Sequence, residues 1–128
     1  MKITTHALDI YSGRPARGLK VDAYFVSDKK EKIKSIILND DGRSDEPIVD
    51  GIKVGNYLLE FYVGDYYQKI IQLKKPTFLD KVPVSFYVVN SQESPVAIWM
   101  HCTYRIMVDL KAMDLPTKCS TFIVSAII

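Results

Sequence analysis

Two side chains in this sequence stand out for the chemistry they could do. One is His6, within Ile3-Thr4-Thr5-His6-Ala7-Leu8-Asp9-Ile10; the other is Arg43, closing Asn39-Asp40-Asp41-Gly42-Arg43. A neutral imidazole on an exposed sheet face can serve as a general base near pH 7. A guanidinium directly after a turn can set a rigid two-pronged donor on a carbonyl or an anion. Each has a plainer alternative: a surface histidine hydrogen-bonded to Thr4, and an ordinary solvated arginine. Asp9, Asp65 and Asp80 read as caps and turn formers rather than acids. The chain has no nucleophile elbow, no phosphate loop and no metal cluster, and Cys102 and Cys119 lack zinc-type spacing.

Period-two patterning supplies the elements that must hold these residues. Along Ile3–Ile10, alternation points Thr4, His6 and Leu8 one way and Thr5, Ala7 and Asp9 the other. In Leu19–Val26, positions 19, 21, 23 and 25 are apolar and their neighbours mainly polar, which predicts a half-buried strand joined to the first by a turn-rich loop. The charge run Lys29-Lys30-Glu31-Lys32 reads as a solvated loop, and a short strand is predicted after it at Ile33–Leu38. Asn39-Asp40-Asp41-Gly42 then has the residues of a tight reversal, with Gly42 available for a positive φ. Tyr57–Val63 predicts a further strand. Asp65–Leu73, with Tyr66, Ile70 and Leu73 spaced four and three, predicts a two-turn helix capped by Asp65 and closed by Pro76. Val82–Val89 returns to strand spacing, and Pro83 marks it as an edge strand or a strand beginning. Many short strands and one short helix predict an all-β fold, an antiparallel β-sandwich.

The chain has 128 residues, room for one domain built on one core. Lys and Arg number 17 against 15 Asp and Glu, a formal charge of +2. That near-balance argues against a nucleic-acid binder. No apolar run approaches the ~20 residues a membrane helix requires. Two cysteines are too few for a disulfide framework. No apolar signal segment follows Met1-Lys2, and Ser125-Ala126-Ile127-Ile128 is not a Ser-Lys-Leu-type peroxisomal signal. The expected compartment is the cytoplasm, with the peroxisome as the alternative.

After Glu93 the composition changes. Both cysteines, the single tryptophan Trp99, His101 and three of the four methionines lie there. Val96–Met100 is unbroken apolar sequence that could stand in for a strand. Thr121–Ile128 is long enough for another, yet it is also an uncharged, aggregation-prone window. No local pattern after Arg105 agrees with the fold specified by the first ninety residues, so that segment is expected to stay outside it.

Taken together, the motifs of residues 2–90 resemble those of the 5-hydroxyisourate hydrolases, the transthyretin-related enzymes of purine catabolism. The resemblance rests on Thr4-Thr5-His6-Ala7-Leu8-Asp9, Gly13-Arg14-Pro15-Ala16, Asn39-Asp40-Asp41-Gly42-Arg43 and Gly55-Asn56-Tyr57. It continues through Phe61, Gly64-Asp65-Tyr66-Tyr67 and Phe78–Phe86. It implies a transthyretin-like sandwich of two four-stranded sheets, assembled as a homotetramer with active sites between subunits. It implies hydrolysis of 5-hydroxyisourate, the product of urate oxidation, with opening of the six-membered ring. His6 would help activate the attacking water and Arg43 would hold the substrate's polar edge. No metal or organic cofactor is implied. An activated cyclic carbonyl needs a positioned water, a base and charge stabilisation, which suits these residue types.

The C-terminal region departs from the family pattern. A His-Tyr-His segment is expected after the Phe86 strand, but its place falls on Ser94-Pro95-Val96, so the second family histidine is missing there. Cys102-Thr103-Tyr104-Arg105 resembles the family's closing Ser-Thr-Tyr-Arg, arriving early and followed by Ile106-Met107 instead of Gly-Ser. By that resemblance Tyr104 and Arg105 are substrate-binding candidates. Two functions follow. The first is ring-opening hydrolysis of 5-hydroxyisourate. The second is a non-catalytic transthyretin-like binding or assembly protein that kept the sandwich and lost part of the site. His6 and Arg43 favour the first, and the missing histidine favours the second.

Overall fold

The computed structural model describes residues 2–9, 11–71, 80–89, 102–109 and 119–127, the last two stretches by their backbone. The strands are β1 (Lys2–Asp9), β2 (Arg14–Pro15), β3 (Lys20–Val26), β4 (Lys30–Ile37), β5 (Val49–Asp50), β6 (Gly55–Phe61), β7 (Val82–Val88), β8 (Cys102–Asp109) and β9 (Cys119–Ile127). One helix, α1 (Val63–Ile71), stands between β6 and β7 among the described residues. One sheet runs β2-β1-β9-β8, with β5 also paired to β1; the other runs β4-β3-β6-β7. All the strand pairs are antiparallel. β1 and β3 are therefore consecutive long strands in different sheets. The loop between them, with the small strand β2, crosses from one layer to the other.

Alternation sets which side of each strand is dry. Ile3, Thr5, Ala7 and Asp9 of β1 are buried, as are Tyr57, Leu59 and Phe61 of β6 and Val82, Val84, Phe86 and Val88 of β7. Residues of both sheets and of α1 form one apolar core, Ile3, Val21, Leu59, Phe61 and Val84 among them. Each such side chain contributes about 1.5–3 kcal/mol on burial. Pro83 sits second in β7, which is an edge strand, so both readings of that proline hold together.

Three elements differ in detail from the sequence reading. The helix starts two residues before Asp65, because the Tyr66 amide already donates to Tyr62 O at 3.2 Å. Asp65 is thus a first-turn residue, where its charge suits the helix dipole, and not the cap. Pro76 lies outside the described residues. The basic run is strand rather than loop from Lys30 onward, and Lys30 and Lys32 of β4 pair with acidic side chains across the sheet. Finally, the segment after Arg105 joins the fold. β9 pairs with β1 from Thr4↔Ile127 to Asp9↔Phe122, and β8 pairs with β9. Ladder pairing needs only backbone donors and acceptors, which the open side of β1 offers to any β-prone run. Val96–Met100 and the Ser94-Pro95-Val96 position lie outside the described residues.

No described helix is long and apolar enough to cross a membrane.

Candidate active site

His6 lies on β1 in the set of positions that alternates with the buried one, with Thr4 and Leu8 on either side. Its side chain is half-buried, while those two neighbours are exposed. Across from His6 stands Arg43, its direct antiparallel partner. Thirty-odd residues of chain separate the two, yet the fold sets them side by side. The adjacent hydrogen bond runs from the Ala7 amide to Gly42 O at 2.9 Å, which makes His6 and Arg43 a non-hydrogen-bonded pair. In that arrangement both side chains leave the same face, with their Cβ atoms about 4.5–5.5 Å apart. The Arg43 side chain is exposed.

The reversal that delivers Arg43 is built from 39–43. The Gly42 amide donates to Asn39 O at 2.9 Å, closing the turn, and Gly42 has φ of 69°. A Cβ at Gly42 would lie 2.3 Å from Ala7 O and 3.1 Å from Pro15 Cβ. Only glycine allows this turn to press so closely on β1. Ala7 O in turn accepts from the Ala16 amide at 3.0 Å. Along this side of β1, three short pieces of chain therefore lie end to end: β5 against Lys2 and Ile3, Arg43 against His6, and β2 against Leu8 and Asp9.

The far end of β1 is tied to the helix through Asp9, which is 1% exposed. Its carboxylate accepts from the Tyr67 hydroxyl at 2.9 Å, the Tyr66 hydroxyl at 3.3 Å, the Ser12 hydroxyl at 2.7 Å and the Tyr11 amide at 3.0 Å. Burial, together with the Asp9 charge, pushes both tyrosines above their ordinary range, so they stay protonated donors. Asp9 is the turn former expected from the sequence and also an anchor for α1. That second role had no local signal, because it depends on residues 57 and 58 positions away.

On the other side of β1, the register runs from His6 to Ser125 of β9 and on to Thr103 of β8. Arg105 pairs with Ile123, which pairs with Leu8, so Arg105 falls in the same alternating set as His6. Tyr104 pairs with Val124, opposite Ala7, and falls in the other set. β8 is two strand spacings from β1, about 10 Å. The structure thus unites His6 with Arg43 and puts Arg105 at a farther position of the same set, but not Tyr104. Among the described residues, no three His, Cys, Asp or Glu side chains converge into a metal-ligand set.

A two-sheet antiparallel sandwich with one helix after its sixth strand, and an imidazole–guanidinium pair beside its first, defines a transthyretin-like class of protein. The chain matches the HIUase/Transthyretin family over residues 3–105, and it belongs to that family. It is 39% identical over 94 residues to 5-hydroxyisourate hydrolase 2 of Rhizobium meliloti, covering 70% of this chain and 78% of that one. It is 36% identical over 113 residues to the 5-hydroxyisourate hydrolase of Pseudomonas aeruginosa, covering 81% and 90%. Among solved structures, an (S)-allantoin synthase matches with TM-score 0.58 and 28% identity, over 66% of this chain and 34% of the larger protein. The transthyretin of Sparus aurata shares the fold at TM-score 0.56 and 15% identity, over 93% of this chain and 96% of its own.

Proposed function

We propose that this protein hydrolyses 5-hydroxyisourate in urate catabolism, opening the six-membered ring, with His6 and Arg43 as its catalytic residues. The cross-strand pairing of these two residues carries the reading, and the names of its relatives agree with it. In the step proposed, His6 takes a proton from water as the water oxygen bonds to the ring carbonyl carbon. Arg43 donates to the oxygen on which negative charge collects. The ring C–N bond then breaks, and the proton returns from His6 to the departing nitrogen. Arg105 is proposed as a second substrate-binding guanidinium, supported by its position in the His6 set. Tyr104, the other candidate, has no such support from the register. No cofactor or metal is required by this chemistry.

The proposed assembly is a homotetramer of single-domain subunits, in which a neighbouring copy covers the outer side of β1 and completes the site. The cytoplasm is the proposed compartment. The first test follows freshly prepared 5-hydroxyisourate by its absorbance. The protein is expected to speed its decay well above the spontaneous rate. A decay no faster than in buffer would instead support a non-catalytic transthyretin-like binding protein.

A further inference from the structure

We propose that Asn39 is the positioning residue that sets Arg43 against His6, an inference that rests on the hydrolase reading above. Beside the His6–Arg43 pair, the Ala7 N–H donates to Gly42 O, a bond that holds the turn to β1 but not Arg43 directly. Both backbone groups of Arg43 itself turn to Asn39. The Arg43 amide donates to Asn39 Oδ1 at 3.0 Å, and the Asn39 amide donates to Arg43 O at 2.8 Å. Asn39 Oδ1 also accepts from the Asp41 amide at 3.0 Å. Its Nδ2 donates to Asp45 Oδ1 at 2.7 Å, which fixes which way the side-chain amide faces.

Asn39 is itself anchored. Leu38 before it is buried, donates its amide to Leu19 O at 2.9 Å and accepts from the Gly18 amide at 2.9 Å. The path from the core to the guanidinium therefore runs through Leu38, then Asn39, then the backbone of Arg43. The site demands a side chain with an acceptor on one arm and a donor on the other. Asparagine provides both without charge, whereas a carboxylate there would face Asp45. Asn39 acts only through Arg43 and touches no reacting atom in this account.

The test is a double-mutant cycle read as kcat/KM for 5-hydroxyisourate. Asn39→Ala alone is expected to lower it about tenfold to a hundredfold, as displacement of a positioned group does. In the Arg43→Ala background the same change should cost nothing further, because the residue it positions is gone. The exchanged pair Asn39→Asp with Asp45→Asn restores the acceptor and the donor and should recover most of the rate. Equal losses in both backgrounds, or no recovery in the exchanged pair, would overturn the proposal while leaving the hydrolase reading intact. Amide exchange supplies a readout independent of activity. In Asn39→Ala the amides of Asp41 and Arg43 should exchange faster while that of Ala7 keeps its protection. An unchanged Arg43 amide would overturn the proposal even in a protein with no hydrolase activity.

Discussion

At the scale of single residues, the proposed site depends on what a guanidinium does that an ammonium does not. Arg43 emerges beside His6 and can offer two parallel donors to a planar carbonyl edge, a geometry that lysine lacks. Arg43→Lys is therefore expected to lose more than tenfold in kcat/KM, nearer to Arg43→Ala than to the parent, in a steady-state ring-opening assay. Full activity in the lysine variant would reduce Arg43 to a point charge. The face on which His6 lies was legible from β1 alone, since Ile3, Thr5 and Ala7 are buried and Lys2, Thr4 and Leu8 are not. The need for Gly42 was legible from turn chemistry. That Arg43 is the cross-strand partner of His6 was not legible from local pattern, because strand pairing across such a separation leaves no periodic trace. The motif resemblance selected the two residues without placing them together.

At the scale of elements, alternation fails instructively on β3. Asp22 occupies a position that period two assigns to the wet side, yet its side chain is 1% exposed. It accepts from Lys32 Nζ at 2.8 Å, from the Tyr62 hydroxyl at 2.8 Å and from Ser35 Oγ, with Lys20 Nζ 4.0 Å away. Lys20 and Lys81 also lie over the Tyr62 ring, at 4.4 and 4.7 Å from its centroid. The outer face of this sheet is thus roofed by long polar side chains, which a count of apolar residues cannot reveal. Burial alone would raise the Asp22 carboxyl. The hydrogen bonds from Lys32, Ser35 and Tyr62, with the Lys20 charge, outweigh it and hold the group well below its ordinary value of 3.8. Between the folded and unfolded pKa values the unfolded chain binds the extra proton, so acid favours unfolding there. The stabilisation is full above about pH 5 and fades as pH falls below the unfolded pKa of about 3.9. Asp22→Asn is expected to cost about 1–3 kcal/mol at pH 7, with the gap to the parent closing towards pH 2. Urea unfolding at pH 7, 5 and 3 reads this directly. A gap that does not change with pH would mean that the carboxyl titrates alike in the folded and unfolded chain, so that these partners do not favour its ionised form.

At the scale of the whole molecule, the first ninety residues and the last thirty-five were legible to different degrees. Strands β1, β6 and β7 carry clean alternation over a shared core, and the sandwich follows from them. β8 and β9 carry no comparable pattern, yet β9 completes six pairings along β1 and β8 pairs with it through eight. Their place is set by the vacant edge they cover rather than by periodicity of their own. A strand beside β1 also bears on assembly, since the sheet that carries His6 is extended by it. Sedimentation at micromolar concentration is expected to find a tetramer, in exchange with smaller species because residues 94–128 depart from the family pattern. A stable monomer would remove the neighbouring copy from the proposed site.

The central claim is that one cross-strand pair performs the ring opening, and a single assay tests it most directly. Decay of freshly made 5-hydroxyisourate is followed with the parent, His6→Ala and Arg43→Ala at equal concentration. Each variant is expected to fall by about a hundredfold or more, the scale on which a general base and a charge-stabilising donor act. Parent-like rates in both variants would contradict the account and move the chemistry to other residues of the chain.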